Sequence, residues 1–256
     1  MRKVHLSMGS ALPTVTPLDA MQIMAGSASE VPLLGRISVD KVQIGPQNCS
    51  RKIKIDAEML DDLQARFPET RFRVHANVRV LDESCNFDLA SMGHFLSYRA
   101  ALVPVLRHLG EPYTIHAGRR RWMVPLHAQI SRCKKLEDDA GVPVGIEGLY
   151  PDAMDGNTCS TWGDYEQVLR SDVRYALDLS HLNIVRAVHG EAPDGLVREM
   201  LESPNCIEVH LSGNDGMADR HLALGNVPFW WTDYREAAIH GDVFYEGRTK
   251  AQEENL

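Results

Sequence analysis

Apolar residues along the chain fall into two alternating rhythms. Short β-branched runs, each ending in a polar residue, recur at "KVHLS" (3–7), "KVQIG" (41–45), "RFRVHA" (71–76), "YTIHA" (113–117), "VPVGIEG" (142–148), "RYALDLS" (174–180), "CIEVHLS" (206–212) and "VFYEG" (243–247). Between them, "IDAEMLDDLQARF" (55–67), "FLSYRAALVPVLRHLG" (95–110) and "APDGLVREMLES" (192–203) repeat apolar residues near the 3.6-residue spacing of helices. Strands that read as near-continuous apolar runs and alternate with helices predict a parallel sheet with helical crossovers. Eight such units in 256 residues fit a closed (β/α)8 barrel in size and count. An open doubly wound sheet shares the alternation but carries a glycine-rich phosphate loop after its first strand, and "SMGSALPTVTP" (7–17) is not GxGxxG. No internal repeat, low-complexity tract or linker stands out, so the prediction is one barrel domain over residues 1–250 and a flexible tail over 251–256.

Composition refines this picture only slightly. Hydrophobic residues at 44% and charged residues at 24% are ordinary for a globular protein. No apolar run nears the roughly 20 residues needed to span a bilayer, and no signal-like segment opens the chain, so no membrane partner and a cytoplasmic location are expected. Cys49, Cys85, Cys133, Cys159 and Cys206 are odd in number, widely spaced and without a CxxC pair. That pattern suits reduced thiols better than disulfides or a thiolate metal site. The formal charge of −8 argues against an extensive non-specific grip on nucleic acid. "GRRRW" (118–122) is the one dense basic patch, readable as a solvated turn or as a phosphate contact.

The strand ends carry the chemistry. In a barrel of this kind the site lies at the C-terminal ends of the strands. The last six predicted strands end in His75, His116, Glu147, Asp178, His210 and Glu246. Carboxylates converging on one mouth repel one another and lose solvation, costs that bound cations offset. Imidazole and carboxylate without thiolate suit zinc, iron or manganese. His181 follows Asp178 by three residues, and Asp219 and His221 alternate around Arg220 in "ADRHL", which in an extended segment points both ligands to one side. The expected cofactors are therefore divalent metal ions.

This ordered set resembles the xylose isomerase-like TIM barrel superfamily, and in particular its endonuclease IV branch. The resemblance runs from residue 71 or so to the C-terminus. "VHANVRVLDESCNFDLAS" is similar to that branch's histidine followed by an "NLAS"-like segment, and "HLGEPYTIHAG" to its "LG…VVHPG" step, with Ala117 where the family has proline. The resemblance implies a trinuclear metal site held by His75, His116, Glu147, Asp178, His181, His210, Asp219, His221 and Glu246. The chain departs from that branch in being shorter and acidic, and in having "GNVPFWWTDY" (225–234) in place of a glycine-rich continuation. "LDLSHLNIVRAVHGEAPDG" followed by "IEVHLSGN" is also similar to multinuclear non-haem iron enzymes that oxidatively modify cysteine-containing peptides. Single-metal sugar isomerases and epimerases form a third likeness, their quartet supplied by Glu147, Asp178, His210 and Glu246.

Metal-assisted hydrolysis of a phosphoester on a sugar-phosphate or abasic nucleic-acid substrate is the function first expected. Glu147 serves as bridging carboxylate and Glu246 as base or ligand, while Arg119, Arg220 and Asn214 bind substrate. Oxidative iron chemistry on a peptide and single-metal isomerisation are the alternatives. A barrel that only binds a ligand is disfavoured, because a lost site has no reason to keep so many costly groups. Asn77 and Asn183 are expected to orient ligands or substrate. Trp122, Trp230 and Trp231 are read as packing, and His5, His94, His108, His127, His189 and His240 as surface or helix residues. Metal identity, substrate and oligomeric state lie beyond what the residues specify.

Overall fold

The computed structural model describes residues 3–8, 16–26, 30–31, 33–45, 54–82, 86–152, 154, 156–225 and 228–248. Strands and helices alternate: β1 (Val4–Ser7), α1 (Pro17–Gly26), β2 (Ser38–Ile44), α2 (Ala57–Arg66), β3 (Arg71–Val74), α3 (Leu96–Leu109), β4 (Tyr113–His116), α4 (Leu126–Ala140), β5 (Val144–Glu147), α5 (Trp162–Arg170), β6 (Arg174–Asp178), α6 (Leu179–His189), α7 (Leu196–Glu202), β7 (Cys206–Leu211), α8 (Trp231–Glu236) and β8 (Asp242–Tyr245). A two-residue hairpin, Glu30–Val31 with Gly35–Arg36, stands apart. The eight strands form one sheet in the order β3-β2-β1-β8-β7-β6-β5-β4, every pair parallel. This is the expected eight-stranded barrel, nearly closed. No ladder joins β3 to β4 among the described residues. Side chains cross that seam instead: Arg71 pairs with Glu111, and His75 Nδ1 lies 3.0 Å from Thr114 Oγ1.

The interior departs from the expectation of near-continuous apolar strands. Alternate residues of a strand point to opposite faces. Val42, Ile44, Phe72, Val74, Ile115, Ile146, Leu177, Val209, Leu211 and Val243 are buried in the main hydrophobic core. The residues between them are largely polar and face the barrel axis. Ser7 bonds Gln43 at 2.8 Å, and Arg73 and Thr114 reach Glu208 across the axis, Thr114 at 3.3 Å. The strands are thus buried on both faces, apolar toward the helices and polar toward the axis. His5, expected at the surface, is buried within this lining beside Phe244, and burial lowers its imidazole to about 4.

One strand stops short of its expected end for a local reason. The run "RYALDLS" ends as a strand at Asp178, because that carboxylate accepts from Ser180 N at 2.7 Å and His181 N at 3.2 Å and so caps α6. His181 consequently stands in the first helical turn. Its Nδ1 meets the carbonyl of Gly148 at 2.9 Å, which leaves Nε2 facing the mouth. The expected tail at 251–256 lies outside the described residues. No helix among the described residues is long and apolar enough to cross a membrane. Cys133, Cys159 and Cys206 are buried free thiols, while Cys49 and Cys85 lie outside the described residues.

Gly148 is one of the positions where the fold leaves no room for a side chain. A Cβ there would lie 2.4 Å from the ring of Tyr165, whose hydroxyl donates to Leu149 O at 2.8 Å. Gly148→Ala is therefore expected to destabilise the barrel by about 1–3 kcal/mol. Thermal unfolding checks this as a lower Tm, with roughly 2–4 °C lost per kcal/mol for a chain of this size.

Candidate metal centre

Glu147, at the end of β5 and 1% exposed, occupies the middle of the mouth. Its Oε2 lies 3.6 Å from His75 Nε2 and 3.6 Å from His116 Nε2. Its Oε1 lies 3.4 Å from His210 Nδ1 and 3.9 Å from His181 Nδ1. One carboxylate is thereby presented to imidazoles at the ends of β3, β4 and β7 and in the first turn of α6. Glu246, just past β8, lies 3.9 Å from His210 Nδ1 and 3.8 Å from His221 Nδ1. The loop after β7 returns Asp219 to within 3.4 Å of His181 Nε2 and 3.2 Å of His221 Nε2, and Asp178 Oδ2 stands 3.3 Å from His181 Nε2. The return does not use the extended backbone expected for "ADRHL": His221 has a left-handed φ of 48°.

These donors meet the requirements of divalent cations. His75, His116 and Glu147 offer ligand atoms within 4.8 Å of one another, as do Asp178, His210 and Glu246, and Glu147, Asp178 and His181. Glu147 Oε2, His210 Nδ1, Asp219 Oδ1 and His221 Nδ1 are buried without a hydrogen-bond partner. Leaving such atoms unanswered is costly, and a cation answers them. The donor chemistry, nitrogen and oxygen only, fits zinc, iron or manganese. A further grouping of His75, Glu208 and His210 is different in kind, because the guanidinium of Arg73 already sits against Glu208.

The electrostatics follow from crowding and burial. Burial is the main cause that lowers His75 to about 3, with Glu147 opposing it and repulsion from His210 and His116 adding to the fall. Burial would also lower His181 and His221, but the carboxylates of Asp178, Asp219 and Glu147 lift His181 to about 10, and Asp219 and Glu246 lift His221 to about 9. Glu246 is pushed by burial, and by Asp178 and Glu147, up to about 7 against His210 and His221. Glu147 runs against its burial, held well below the usual carboxylate range by His210, His116 and His75.

The three residues expected to bind substrate part company. Arg119 lines a pocket of about 230 Å³ that opens beside His116, His181 and Asp219 and also includes Arg121, Tyr150 and Asn157. Arg119 is paired there with Asp152 at 2.5 Å, and Arg121 lies 5.1 Å over the Trp122 ring. Arg220 does not reach the pocket; half exposed, it turns to Asp215 at 3.4 Å, because the side chain between Asp219 and His221 points outward. Asn214 is likewise absent from it: its side chain bonds Asn183 at 2.6 Å and Ser180 O at 2.7 Å, tying the loop after β7 to α6. Of the other two asparagines, Asn77 lies 3.4 Å from His116 Nδ1 while Asn183 serves that same tie. Trp230 and Trp231 are buried against Tyr234, in keeping with packing.

Sequence reasoning missed Glu208, Arg73, Gln43 and Tyr150. Glu208 bonds His210 from two residues earlier on the same strand face, and Tyr150 covers His181 at a ring separation of 4.8 Å. The available signal was period-two polarity: "IEVH", "VQI" and "RFRV" each place a polar residue two positions from the next inward one.

No protein-family profile and no curated protein sequence matches the chain. Solved structures do. A D-tagatose 3-epimerase-like protein matches with a TM-score of 0.66 at 18% identity, over 96% of this chain and 91% of that one. The AP endonuclease, family 2, from Brucella melitensis matches at 0.64 and 14%, over 98% and 94%. A xylose isomerase domain containing protein from Salmonella typhimurium LT2 matches at 0.64 and 12%, over 97% and 89%. At such identities the likeness is one of fold: the chain is a (β/α)8 barrel similar in fold to these proteins.

Zinc added to the metal-free protein at pH 7 is expected to release protons, since His181 and His221 hold theirs up to about 10 and about 9 and ligate only when neutral. Affinity therefore rises with pH through that range and falls toward acid. Calorimetric titration in buffers of different ionisation heat measures the release; a heat independent of the buffer would contradict it.

Proposed function

We propose that the chain is a multinuclear metal-dependent phosphoesterase acting on a small sugar-phosphate. The observation that carries this reading is the convergence of His181, Asp219 and His221 beside the Glu147 group. A one-metal isomerase needs only Glu147, Asp178, His210 and Glu246, and leaves those three and His75 with His116 without a task. The nine side chains would hold two or three divalent cations, which would supply Lewis acidity toward phosphoryl oxygens and lower the pKa of a water toward neutrality.

The protein's own groups do the rest. Glu147 spans the His75/His116 side and the His210 side through its two oxygens. Glu246, raised to about 7, is suited to take a proton near neutral pH. Arg119 and Arg121 line the approach and offer forked donors to phosphate oxygens. Asn157 donates to Tyr150 O at 2.9 Å, which leaves its buried Oδ1 without a partner and able to accept from a sugar hydroxyl. A pocket of about 230 Å³ suits a monosaccharide phosphate better than a kinked duplex, as does a net charge of −8.

Peptide oxidation at an iron centre is the second reading. It is favoured by Met123, Met154 and Met217, which are 88%, 87% and 72% exposed on the loops after β4, β5 and β7. Adaptable apolar side chains of this kind suit a peptide surface.

Chelator-treated protein reloaded with zinc or manganese is expected to hydrolyse p-nitrophenyl phosphate and sugar phosphates faster than abasic-site DNA. Glu147→Gln should lower kcat by roughly a thousand-fold or more, because several kcal/mol of charge stabilisation depend on that carboxylate. Arg119→Met should raise KM by about tenfold, the worth of one charge-assisted contact. Metal-loaded protein inert on every phosphoester sinks the hydrolytic reading; bound iron with dioxygen uptake in the presence of a cysteine-containing peptide supports the second.

A further inference from the structure

Four imidazoles face Glu147, and they do not all present the same atom. His75 and His116 turn Nε2 toward it, whereas His210 turns Nδ1, 3.4 Å from Glu147 and 3.9 Å from Glu246. The cause lies one step down the same strand. Glu208, wholly buried in β7, takes the His210 Nε2 through its Oε1. The same oxygen accepts from Gln43 Nε2 and, at 3.3 Å, from Thr114 Oγ1. Its Oε2 meets the guanidinium of Arg73, itself 1% exposed and reaching across from β3. Arg73 is backed at 3.5 Å by Asp242, which Lys41 holds at 2.7 Å. A chain of charges thus runs from the lower end of the barrel up to His210.

We infer that Arg73 and Glu208 are a positioning pair for the metal centre: Arg73 holds Glu208 in place, and Glu208 fixes the His210 ring so that Nδ1 is its ligating atom. Stability does not account for the pair. Desolvating two charges consumes most of what their attraction returns, and apolar residues of similar size fill such a space as well or better. What apolar residues cannot do is accept the imidazole N–H. Partners of this kind, one bond removed from the metal, fix ring orientation and raise ligand basicity. Arg73 also makes a cation at Glu208 unnecessary, which keeps that carboxylate free to serve the imidazole. The inference rests on the metal-centre part of the proposed function and is independent of the reaction catalysed there.

Zinc affinity and stoichiometry, read by competition with a chromophoric chelator, test it without reference to turnover. Glu208→Gln is expected to weaken zinc at the His210 centre by about 10–100-fold, while zinc bound by His181, Asp219 and His221 is unaffected. Because Glu208→Gln leaves Arg73 buried against a neutral partner, the double variant Arg73→Met with Glu208→Gln removes both charges and is expected to fold and show the same loss. Nitrogen-15 spectra of zinc-loaded wild-type protein labelled at histidine should show His210 metal-bound through Nδ1 and protonated at Nε2. A folded single or double variant with wild-type zinc affinity and an unchanged His210 signal overturns the pair's role, as does Nε2 ligation in the wild type, which needs no variant to fold. Wild-type protein that takes up no zinc, iron or manganese overturns the metal-centre reading itself.

Discussion

A carboxylate that is almost wholly buried and faces four imidazoles governs the rest of this molecule. Glu147 is stable there only because positive charge is supplied around it, and His210, His116 and His75 hold it ionised against its burial. Those imidazoles belong to different strands, so the electrostatic demand of one side chain ties the strand ends into a single unit. The same crowding drives His75 and His181 in opposite directions, to about 3 and about 10, according to how many carboxylates each one meets. Bound cations would resolve the conflict by replacing protons on the histidines and by answering Glu147 Oε2 and Asp219 Oδ1, which have no hydrogen bond.

That demand shapes the barrel below the mouth. An interior filled by apolar side chains would offer no partner for the second nitrogen of each histidine. Here Thr114 stands at His75 Nδ1, the Gly148 carbonyl at His181 Nδ1, and Glu208 at His210 Nε2. The apolar packing is displaced outward, between strands and helices, where Ile44, Val74, Ile146 and Leu211 are fully or almost fully buried. The lining has to be satisfied as a network, and the Glu208–Arg73–Asp242–Lys41 series does this by alternating sign. Removing Arg73 alone leaves the carboxylate of Glu208 without its guanidinium in a fully buried space.

Local strain is found where the ligands are delivered. Asn77 and His221 have φ values of 63° and 48°, conformations that cost about 1–3 kcal/mol each and persist when surrounding contacts over-determine them. Asn77 is fixed by accepting from Phe87 N at 2.8 Å and lies against His116, whereas His221 is drawn in by Asp219 and Glu246. Loops after β7 and β3 therefore contribute to the site through left-handed backbone shapes, which asparagine and histidine adopt more readily than most non-glycine residues.

Much of this was legible along the chain. Alternating apolar rhythms identify eight strands and their crossovers, because each element must bury one face and the period names the element. Donor residues at successive strand ends identify the mouth, since parallel strands bring their C-terminal ends to one side. Two classes of fact were not legible. The strand–helix boundary at Asp178 depends on a cap formed only when α6 packs, and the outward turn of Arg220 depends on a backbone conformation at its neighbour. Glu208, Arg73 and Gln43 are polar residues in separate strands, and nothing in their spacing says that they meet. The sequence by itself determined which side chains the mouth would contain, because strand order and direction follow from local periodicity. Only the tertiary structure decided which atom of each would face the centre, because that choice is made by partners brought across the barrel axis from strands distant in the chain.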